Sequence, residues 1–354
     1  MPLMRARTRA SNRRRRAGSN AIALSDVARA AGVSTASVSR ALNTPELVSE
    51  DVRAAVQAAV TRLGYIRHSA ARALASRRSM TIGAVVPTIA NSIFSAGVEA
   101  IERRLEEAGY ALLIATSDYS LERELRQVRI LLERGVDGVI LVGRYHRPEL
   151  AQMLHERAVP YVCQGAYAAD GPPCVGFDNH AAMASMAEYV LGLGHRRIAM
   201  LAGIAADNDR VIDRIAGARA ALNRAGLDFV PGGLVEARYD VAEARLAMKR
   251  LLALRPRPTA VLCVNDVLAL GALFEARAEG VAVPAELSIT GFDDFDFARN
   301  VEPPLTTLRV PTAEMGRGAA EQLLQRLMGQ SPPHARLVPT MIIPRGTTGP
   351  APAG

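Results

Sequence analysis

The stretch DVARAAGVSTASVSRALN, residues 26–43, predicts two short helices joined by a tight turn. Gly32 supplies the backbone freedom that such a turn needs. Ser34 follows it as a suitable N-cap for the second helix. Val38 and Leu42 then face inward, so small polar residues and one arginine are left on the outer face of that helix.

A third helix is predicted in VSEDVRAAVQAAVTRLGY, residues 48–65. Ser49 is its N-cap, and Glu50 and Asp51 favour the positive end of the helix dipole. Three short helices with small polar residues exposed on the second are typical of a helix-turn-helix unit, in which Arg40 can donate two hydrogen bonds to guanine. An ordinary three-helix bundle that binds a protein is the alternative.

Positive charge is concentrated near the N-terminus. Residues 1–78 contain fifteen arginines, no lysine and four acidic residues, a net charge of +11, whereas the whole chain carries +8 and the rest therefore −3. A basic segment on a mildly acidic body is typical of a protein that binds a polyanion. Seven of these arginines lie in residues 5–16. This segment is interpreted as a phosphate-binding arm, as the result of an upstream mis-start of translation, or as a solvated extension.

Composition narrows the class of protein. The chain has 354 residues, 49% of them hydrophobic, which is enough for two or three domains with sizeable cores. It contains no apolar run as long as the roughly 18 residues of a membrane span, and no apolar segment follows the basic N-terminus as in a secretory signal. Cys163, Cys174 and Cys263 are unpatterned and are interpreted as buried thiols in a reducing cytosol. We therefore expect a cytoplasmic protein without metal, cofactor or membrane partner.

The hinge region completes a family pattern. Together with GYIRHSAARALASRRS, residues 64–79, the three predicted helices resemble, without gaps, the headpiece and hinge helix of the lactose/galactose-repressor (LacI/GalR) family of transcription factors. The resemblance implies a homodimer whose two headpieces bind adjacent major grooves of palindromic operator DNA. The paired hinge helices would enter the minor groove between them.

The same resemblance implies the DNA contacts. Thr35 and Ala36 would read bases, Arg40 would read guanine, and Leu74 would wedge into the central base step. The other implied contacts, to phosphates or in the hinge motif, are Ser34, Ser37, Ser39, Asn43, Ser49, Tyr65, Ala71 and Arg72. Arg67 and His68 replace the family's usual Pro-Asn, and Ala23 replaces its threonine N-cap, which predicts a less preorganised hinge and a weaker start of the first helix.

Beyond residue 80, strand-like runs alternate with helical ones in two series, which begin at TIGAVVP (81–87) and RRIAMLAG (196–203). This alternation predicts an α/β fold with two doubly wound parallel sheets, one in each of two lobes. The resemblance implies a periplasmic-binding-protein-like core whose chain crosses between the lobes three times. The predicted domains are a disordered basic tail (1–21), a helix-turn-helix DNA-binding domain (22–66), a hinge helix and linker (67–79), a two-lobed effector-binding and dimerisation domain (80–345) and a disordered tail (346–354).

Ligands of such folds bind beyond the carboxyl ends of the strands, here between the lobes. The candidate effector contacts there are of two kinds. Arginine and carboxylate side chains can form paired hydrogen bonds to hydroxyls, and aromatic rings can cover the apolar face of a sugar. The candidates are Phe94, Arg210, Arg214, Tyr239, Asp240, Asn265 and Asp266. The resemblance implies that Arg214 and Asp266 are central effector contacts and that Tyr239 lines the site.

Gly165 replaces a ligand-binding aspartate of several family members, whereas Asp178 and Asp293 are expected to be caps or lobe-hinge residues. The expected effector is a sugar, a sugar acid or a sugar phosphate, because arginines near the cleft can bind anionic groups as well as hydroxyls.

Catalysis is not expected. The six histidines, His68, His146, His155, His180, His195 and His334, show no metal-binding spacing, and the chain has no phosphate-binding or dinucleotide fingerprint. The sequence predicts a transcriptional regulator, a repressor, with two alternatives: a sugar-binding protein that serves a transporter, and a DNA-architectural protein without an effector. The tail after Pro344 shows no heptad, so a dimer is expected, with its interface on helices near 94–109 and 121–134.

Overall fold

The computed structural model describes residues 22–66, 78–90 and 92–353, and divides the chain into two compact units between Ala75 and Ser76. The basic segment 1–21 and the predicted hinge residues Arg67, His68, Ala71, Arg72 and Leu74 lie outside the described residues.

The first unit is a three-helix domain, as predicted. Its helices are α1 (Leu24–Ala31), α2 (Thr35–Asn43) and α3 (Glu50–Leu63), with a short 3₁₀ turn (Pro45–Leu47) before α3. Val27, Val38 and Val56 form its buried centre. Gly32, at φ +68°, ends α1 in the left-handed conformation that the tight turn requires. The missing threonine cap at Ala23 is offset in part, because the Ala23 amide donates to Oδ2 of Asp26 at 2.9 Å.

The second unit consists of alternating strands and helices. They are, in chain order, β1 (Thr81–Val86), α4 (Ser92–Glu107), β2 (Ala111–Thr116), α5 (Leu121–Glu133), β3 (Gly138–Val142), α6 (Pro148–Glu156), β4 (Tyr161–Gln164), β5 (Cys174–Gly176), α7 (Asn179–Gly192), β6 (Ile198–Ala202), α8 (Asp209–Arg224), β7 (Leu234–Glu236), α9 (Val241–Leu252), β8 (Ala260–Cys263), α10 (Asp266–Ala278), β9 (Ser288–Thr290), a 3₁₀ turn (Asp296–Arg299), β10 (Thr307–Arg309), α11 (Thr312–Leu327), β11 (Ala335–Leu337) and β12 (Met341–Ile343).

Two parallel sheets define two lobes, which confirms the predicted fold class. The N-terminal lobe has the strand order β11-β5-β4-β3-β1-β2, with α4 and α11 packed together on one side and α5 and α6 on the other. The C-terminal lobe has the order β7-β6-β8-β9, covered by the pairs α7–α8 and α9–α10. The chain crosses between the lobes after β5, after β10 and after β11, where β10 and β12 form a short antiparallel pair.

Paired helices of the second unit pack closely. Gly217 of α8 lies against the carbonyl of His180 in α7, and a Cβ atom at position 217 would overlap that carbonyl. Cys163, Cys174 and Cys263 are free and buried, as predicted. Within the described residues, no helix combines the length and the apolar character that a membrane crossing requires.

The predicted disordered tail 346–354 is wrong for residues 346–353, which belong to the C-terminal lobe. The buried hydroxyl of Thr347 donates to the Ile289 carbonyl at 2.7 Å and accepts from the Thr306 amide at 2.9 Å. Nε2 of the buried His195 lies 3.1 Å from the Gly349 carbonyl. The Gly/Pro-rich composition gave no sign of these bonds, because they depend on partners far away in sequence.

Candidate functional site

Helix α2 presents its polar face to solvent. Thr35, Ala36 and Arg40 are exposed, while Val38 and Ala41 are buried and fix the opposite face against the rest of the three-helix domain. Ser34 is the N-cap, as predicted: its hydroxyl accepts from the Ser37 amide at 3.0 Å. The small side chains at the start of α2 allow its backbone to approach a groove closely.

The remaining predicted contacts of this unit surround α2. Nδ2 of Asn43 donates to Oγ of Ser39 at 3.2 Å. Ser49 occupies the N-cap position of α3, but its side chain forms no capping hydrogen bond. Tyr65 is half-buried against the centre of the domain. All of these residues lie in the described part of the unit, and their contact with DNA remains a prediction.

Residues 22–66 contain four arginines and four acidic residues, so this domain has no net charge. The excess positive charge of the N-terminal region therefore comes from the flanking segments.

A pocket lies between the two lobes of the second unit. It is formed largely at the carboxyl ends of strands. Val142, Gln164, Asn265 and Asp293 follow or end β3, β4, β8 and β9, respectively. The other lining residues are Phe94, Gly97, Tyr119, Gly165, Phe177, Asn208, Arg210, Arg214, Tyr239, Val310, Thr312 and Met315.

Asp293 provides a free carboxylate in this pocket. Both of its oxygens are buried and without a hydrogen-bond partner, although buried polar atoms are normally paired. Burial raises the pKa of Asp293, against the opposing charge of Arg214. Its backbone has φ +112°, a strained conformation for a residue with a side chain. The side chain of Asp293 forms no cap, but its backbone pairs with β10, after which the chain crosses between the lobes, so only the capping half of that expectation was wrong. Asp178 does cap α7 through the Ala181 amide.

Arg214 lies beside Asp293 and is held from several sides. Its Nε donates to Oδ1 of Asn179 at 2.9 Å, and Nη1 donates to the Val264 carbonyl at 2.6 Å. The guanidinium stacks 3.8 Å from the centre of the Phe292 ring. Burial lowers the pKa of Arg214, and the charge of Asp293 opposes this shift. The pocket therefore contains a buried cation beside a buried carboxyl group.

Arg210 reaches across from α8 to the N-terminal lobe. A Cβ atom at Gly165 would lie 3.8 Å from Cδ of Arg210, and one at Gly143 would overlap its Nη1. The space beside the glycine that replaces the family's aspartate is thus occupied by an arginine side chain. Nη1 of Arg210 also donates to Oδ1 of Asp209 at 2.8 Å.

Aromatic rings form the apolar part of the wall. The rings of Tyr119 and Tyr239 are tilted by 49° with their centres 5.4 Å apart. Burial raises the pKa of both phenols, so their hydroxyls are neutral hydrogen-bonding groups. Phe94 and Phe177 complete the aromatic lining.

Two predicted effector contacts do not line the pocket. Asp240 is the N-cap of α9, where its Oδ1 accepts from the amides of Ala242 and Glu243 at 2.8 and 3.0 Å. Asp266 is fully buried and accepts from the Thr307 hydroxyl at 2.6 Å and the Phe295 amide at 2.7 Å. Its oxygens are thus used inside the C-terminal lobe. The other five candidates, Phe94, Arg210, Arg214, Tyr239 and Asn265, do line the pocket.

Sequence reasoning missed Asp293, Gln164, Tyr119 and Asn208. For Asp293 a signal was present, since SITGFDD places a glycine and two aspartates directly after a strand. Within the described residues, no group of three histidine, cysteine or acidic side chains is suited to a metal ion.

Comparison with family models assigns both units. Residues 23–68 match the model of bacterial regulatory proteins of the lacI family, and residues 187–348 match a periplasmic binding protein-like domain. The HTH-type transcriptional repressor CytR of Escherichia coli (strain K12) is 35% identical over 331 residues, which cover 93% of this chain and 96% of CytR.

Two solved structures are similar over nearly the whole chain. The Lac repressor dimer bound to operator and the anti-inducer ONPF superposes with a TM-score of 0.83 at 28% identity, covering 93% of this chain and 100% of that one. The transcriptional regulator CelR in complex with cellobiose superposes with a TM-score of 0.68 at 32% identity, covering 92% of this chain and 99% of that one.

Proposed function

Because the chain belongs to the LacI family of bacterial regulatory proteins, we propose that it is a transcriptional repressor whose affinity for a palindromic operator is controlled by a sugar or sugar acid. The chain joins a family DNA-binding domain to a periplasmic-binding-like domain. The observation that carries the proposal is the unpartnered carboxylate of Asp293 in the interlobe pocket, beside the cation of Arg214. A protein that acts on chromosomal operators works in the bacterial cytoplasm.

On the DNA side, α2 is the recognition helix. Arg40, exposed on this helix, donates two hydrogen bonds to a guanine, while Thr35 and Ala36 contact neighbouring base edges. The flanking hydroxyl and amide side chains, Ser34, Ser37, Ser39, Asn43 and Ser49, contact phosphates. Tyr65 and the hinge residues Ala71, Arg72 and Leu74 complete the interface, with Leu74 as the minor-groove wedge.

On the effector side, the pocket suits a polyhydroxylated ring. The two free oxygens of Asp293 accept hydrogen bonds from adjacent hydroxyls, and Arg214 donates to oxygens of the same ring. The aromatic wall covers the apolar ring face. Arg210 is paired with Asp209 through Nη1, and its remaining donors suit a carboxylate or phosphate group on the sugar. The cellobiose bound by CelR is a precedent for a sugar in this fold.

A palindromic operator requires two headpieces, and the protein is proposed to act as a homodimer. The related Lac repressor binds its operator as a dimer. Helices α4 and α5 remain the proposed interface in the N-terminal lobe. Beside them, Leu113 and Ile114 of the edge strand β2 expose apolar side chains that a second copy would cover.

Regulation follows from two lobe arrangements, of which the effector prefers one. By linkage, operator and effector change each other's affinity by the same factor, typically about 5- to 150-fold. Binding to the palindrome beside the protein's own gene, measured by fluorescence anisotropy at fixed salt with a panel of sugars, sugar acids, sugar phosphates and purines, tests this. We expect one sugar-type compound to shift the affinity at least about tenfold, and expect Asp293→Asn to lose that shift.

The outcomes separate the alternatives. If operator binding is tight and specific but only a purine changes its affinity, the proposed sugar class of the effector is wrong and the proposed repressor function stands. Weak, salt-sensitive binding without sequence preference would favour a DNA-architectural protein and contradict the proposal as a whole.

A further inference from the structure

Three charged side chains join the two lobes beside the pocket. Arg144 follows β3 in the N-terminal lobe, whereas Asp209 and Asp213 lie in the first turns of α8 in the C-terminal lobe. The guanidinium of Arg144 donates from Nη1 and Nη2 to the two oxygens of Asp213 at 2.7 and 2.9 Å. The backbone amide of Arg144 donates to Oδ2 of Asp209 at 2.6 Å. We call this group the interlobe clasp.

The clasp has the geometry of a strong ionic contact. Paired, parallel N–H···O bonds between an arginine and a carboxylate are stronger and more directional than single ones. Both side chains are mostly shielded, with 26% of Arg144 and 17% of Asp213 exposed. Partial burial lowers the pKa of Arg144, but the hydrogen bonds with Asp213 and Tyr145 and the charges of Asp213 and Asp209 together outweigh that effect, so the net shift is upward.

Asp209 connects the clasp to the pocket. Its carboxylate is almost completely buried. Oδ2 accepts from the Arg144 amide of the opposite lobe, and Oδ1 accepts from Nη1 of Arg210, which lines the pocket. One carboxylate therefore holds the other lobe with one oxygen and a pocket cation with the other.

The lobes approach closely enough for these bonds only because position 143 has no side chain. A Cβ atom at Gly143 would overlap both Nη1 of Arg210 and the carboxylate of Asp209. Gly143 itself has φ +89°, in the region that favours glycine. A side chain at position 143 would therefore keep these groups of the two lobes apart.

We propose that the interlobe clasp holds the lobes closed, and that Asp209 is a positioning residue that ties Arg210 to this closed state. Separating the lobes leaves the charges of Arg144, Asp209 and Asp213 without their partners, which is costly for shielded charges. An anionic ligand on Arg210 gains from closure, because Asp209 fixes that guanidinium over Gly143 and Gly165. This inference rests on the proposed function only in naming the ligand; the closure itself needs neither ligand nor DNA.

Electron–electron distance measurements on the full chain, without DNA or ligand, test the clasp. Spin labels on Gln152→Cys in α6 and Asn223→Cys in α8, both exposed positions, report the separation of the lobes. The native cysteines are buried. Dilution with unlabelled chain restricts the signal to distances within one chain. We expect one narrow distribution for the labelled chain that is otherwise unchanged.

The clasp variants Arg144→Gln, Asp213→Asn and Asp209→Asn are each expected to add a population with longer distances. Exchange of the charges in Arg144→Asp/Asp213→Arg is expected to remove most of that population, which a mere loosening of the fold would not do. Raising the KCl concentration to about 1 M, where the screening length is about 3 Å, should lengthen the distances of the unchanged chain more than those of Asp213→Asn.

Arg147→Gln is the matched control. It removes an exposed ion pair with Glu149 just after the clasp and is expected to leave the distances unchanged. Circular dichroism shows whether each variant is folded. Arg144→Lys, which keeps the charge but not the paired geometry, replaces any variant that does not fold. Distances that stay short in all three clasp variants, or lengthen equally in Arg147→Gln, overturn the proposal. Operator binding is not part of this readout, so failure of the repressor function is recognised separately.

Discussion

The hydroxyl of Thr307 donates a 2.6 Å hydrogen bond to Oδ1 of Asp266 inside the C-terminal lobe, while the other oxygen accepts from the Phe295 amide at 2.7 Å. The Asp266 amide in turn donates to the Phe292 carbonyl at 2.9 Å. These bonds fix both sides of Asp293, whose backbone is held in a strained conformation. Asp266 therefore supports the pocket without lining it.

The stability difference between the unchanged chain and Asp266→Asn should depend on pH. Burial raises the pKa of Asp266 to about 7, although its hydrogen bonds with Thr307 and Phe295 lower it. The folded state then binds more protons than the unfolded state between about pH 4 and 7, so the free energy of unfolding falls as the pH rises through this window. Asparagine does not titrate, so the stability of Asp266→Asn lacks this pH dependence. As the pH rises through the window, the free energy of unfolding of the unchanged chain should therefore fall by up to about 4 kcal/mol relative to that of Asp266→Asn.

Urea unfolding at several pH values between about 4.5 and 8 measures this difference. Asp293, whose pKa burial also raises, is present in both proteins and its direct effect largely cancels. Thr307→Val is the control that retains the titrating carboxyl group. Parallel pH profiles for the unchanged chain and Asp266→Asn would show that Asp266 is ionised throughout.

Asp293→Asn should stabilise the protein while it abolishes the effector response. The substitution removes a buried carboxylate that has no partner, and asparagine tolerates a positive φ about as well as aspartate. We expect the free energy of unfolding at pH 8 to rise by roughly 1–3 kcal/mol. Urea unfolding gives this value, and operator titration with the effector gives the response.

Asp294→Asn, at the neighbouring position, is the matched control, and its expected change in stability has the opposite sign. Its carboxylate accepts from Nη2 of Arg345 at 2.6 Å and from Nε of Arg309 at 2.7 Å. Loss of the charge leaves two arginines poorly paired and should lower stability by about 1–3 kcal/mol. Destabilisation by both substitutions to the same extent would show that Asp293 has a structural role.

The sequence was sufficient for the fold because the signals of the fold are local. Helical periodicity in residues 26–63 and the alternation of strands and helices after residue 80 depend on near neighbours. Arg210 and Arg214 are four residues apart, which places both on one face of α8, and both line the pocket. Local sequence rules therefore predicted the fold class and these two pocket residues.

The errors at the site came from distant partners. Asp266 and Asp293 both follow apolar strands, and only the folded chain shows that Asp266 finds the hydroxyl of Thr307 whereas Asp293 finds no donor. Asp240 lies at a strand-to-helix junction but caps its helix instead of facing the ligand. A sequence pattern does not distinguish a carboxylate used for a cap from one left free for a ligand.

Arg40→Ala should weaken operator binding and relax discrimination at one base pair. Loss of a two-bond contact to guanine costs about 1–3 kcal/mol, or roughly 5- to 150-fold in affinity. Anisotropy titrations against the operator and single-base variants of each half-site identify the base. Arg29→Ala, which removes an exposed arginine of α1 paired with Asp26, should change affinity little and equally for all sequences. A uniform loss for Arg40→Ala would make Arg40 a phosphate contact.

Removal of the C-terminal segment after Arg345 should destabilise the C-terminal lobe. The hydroxyl of Thr347 pairs the Ile289 carbonyl and the Thr306 amide, and the Ile289 amide donates to the Thr347 carbonyl at 2.9 Å. Thr347→Val keeps the shape but leaves the first two groups unpaired, which should cost about 1–3 kcal/mol. Truncation should cost more, because it also removes the backbone bonds.

Thermal unfolding and amide hydrogen exchange measure both effects. The Thr306 amide should exchange faster in Thr347→Val, and the amides of Ile289 and Thr306 should both lose protection in the truncated chain. Thr340→Val, a half-buried residue directly before β12, is the matched control and should change stability by less than about 0.5 kcal/mol. An unchanged Tm of the truncated chain, with unchanged protection of the Ile289 and Thr306 amides, would contradict this prediction. It would mean that the sheet alone shields these two amides.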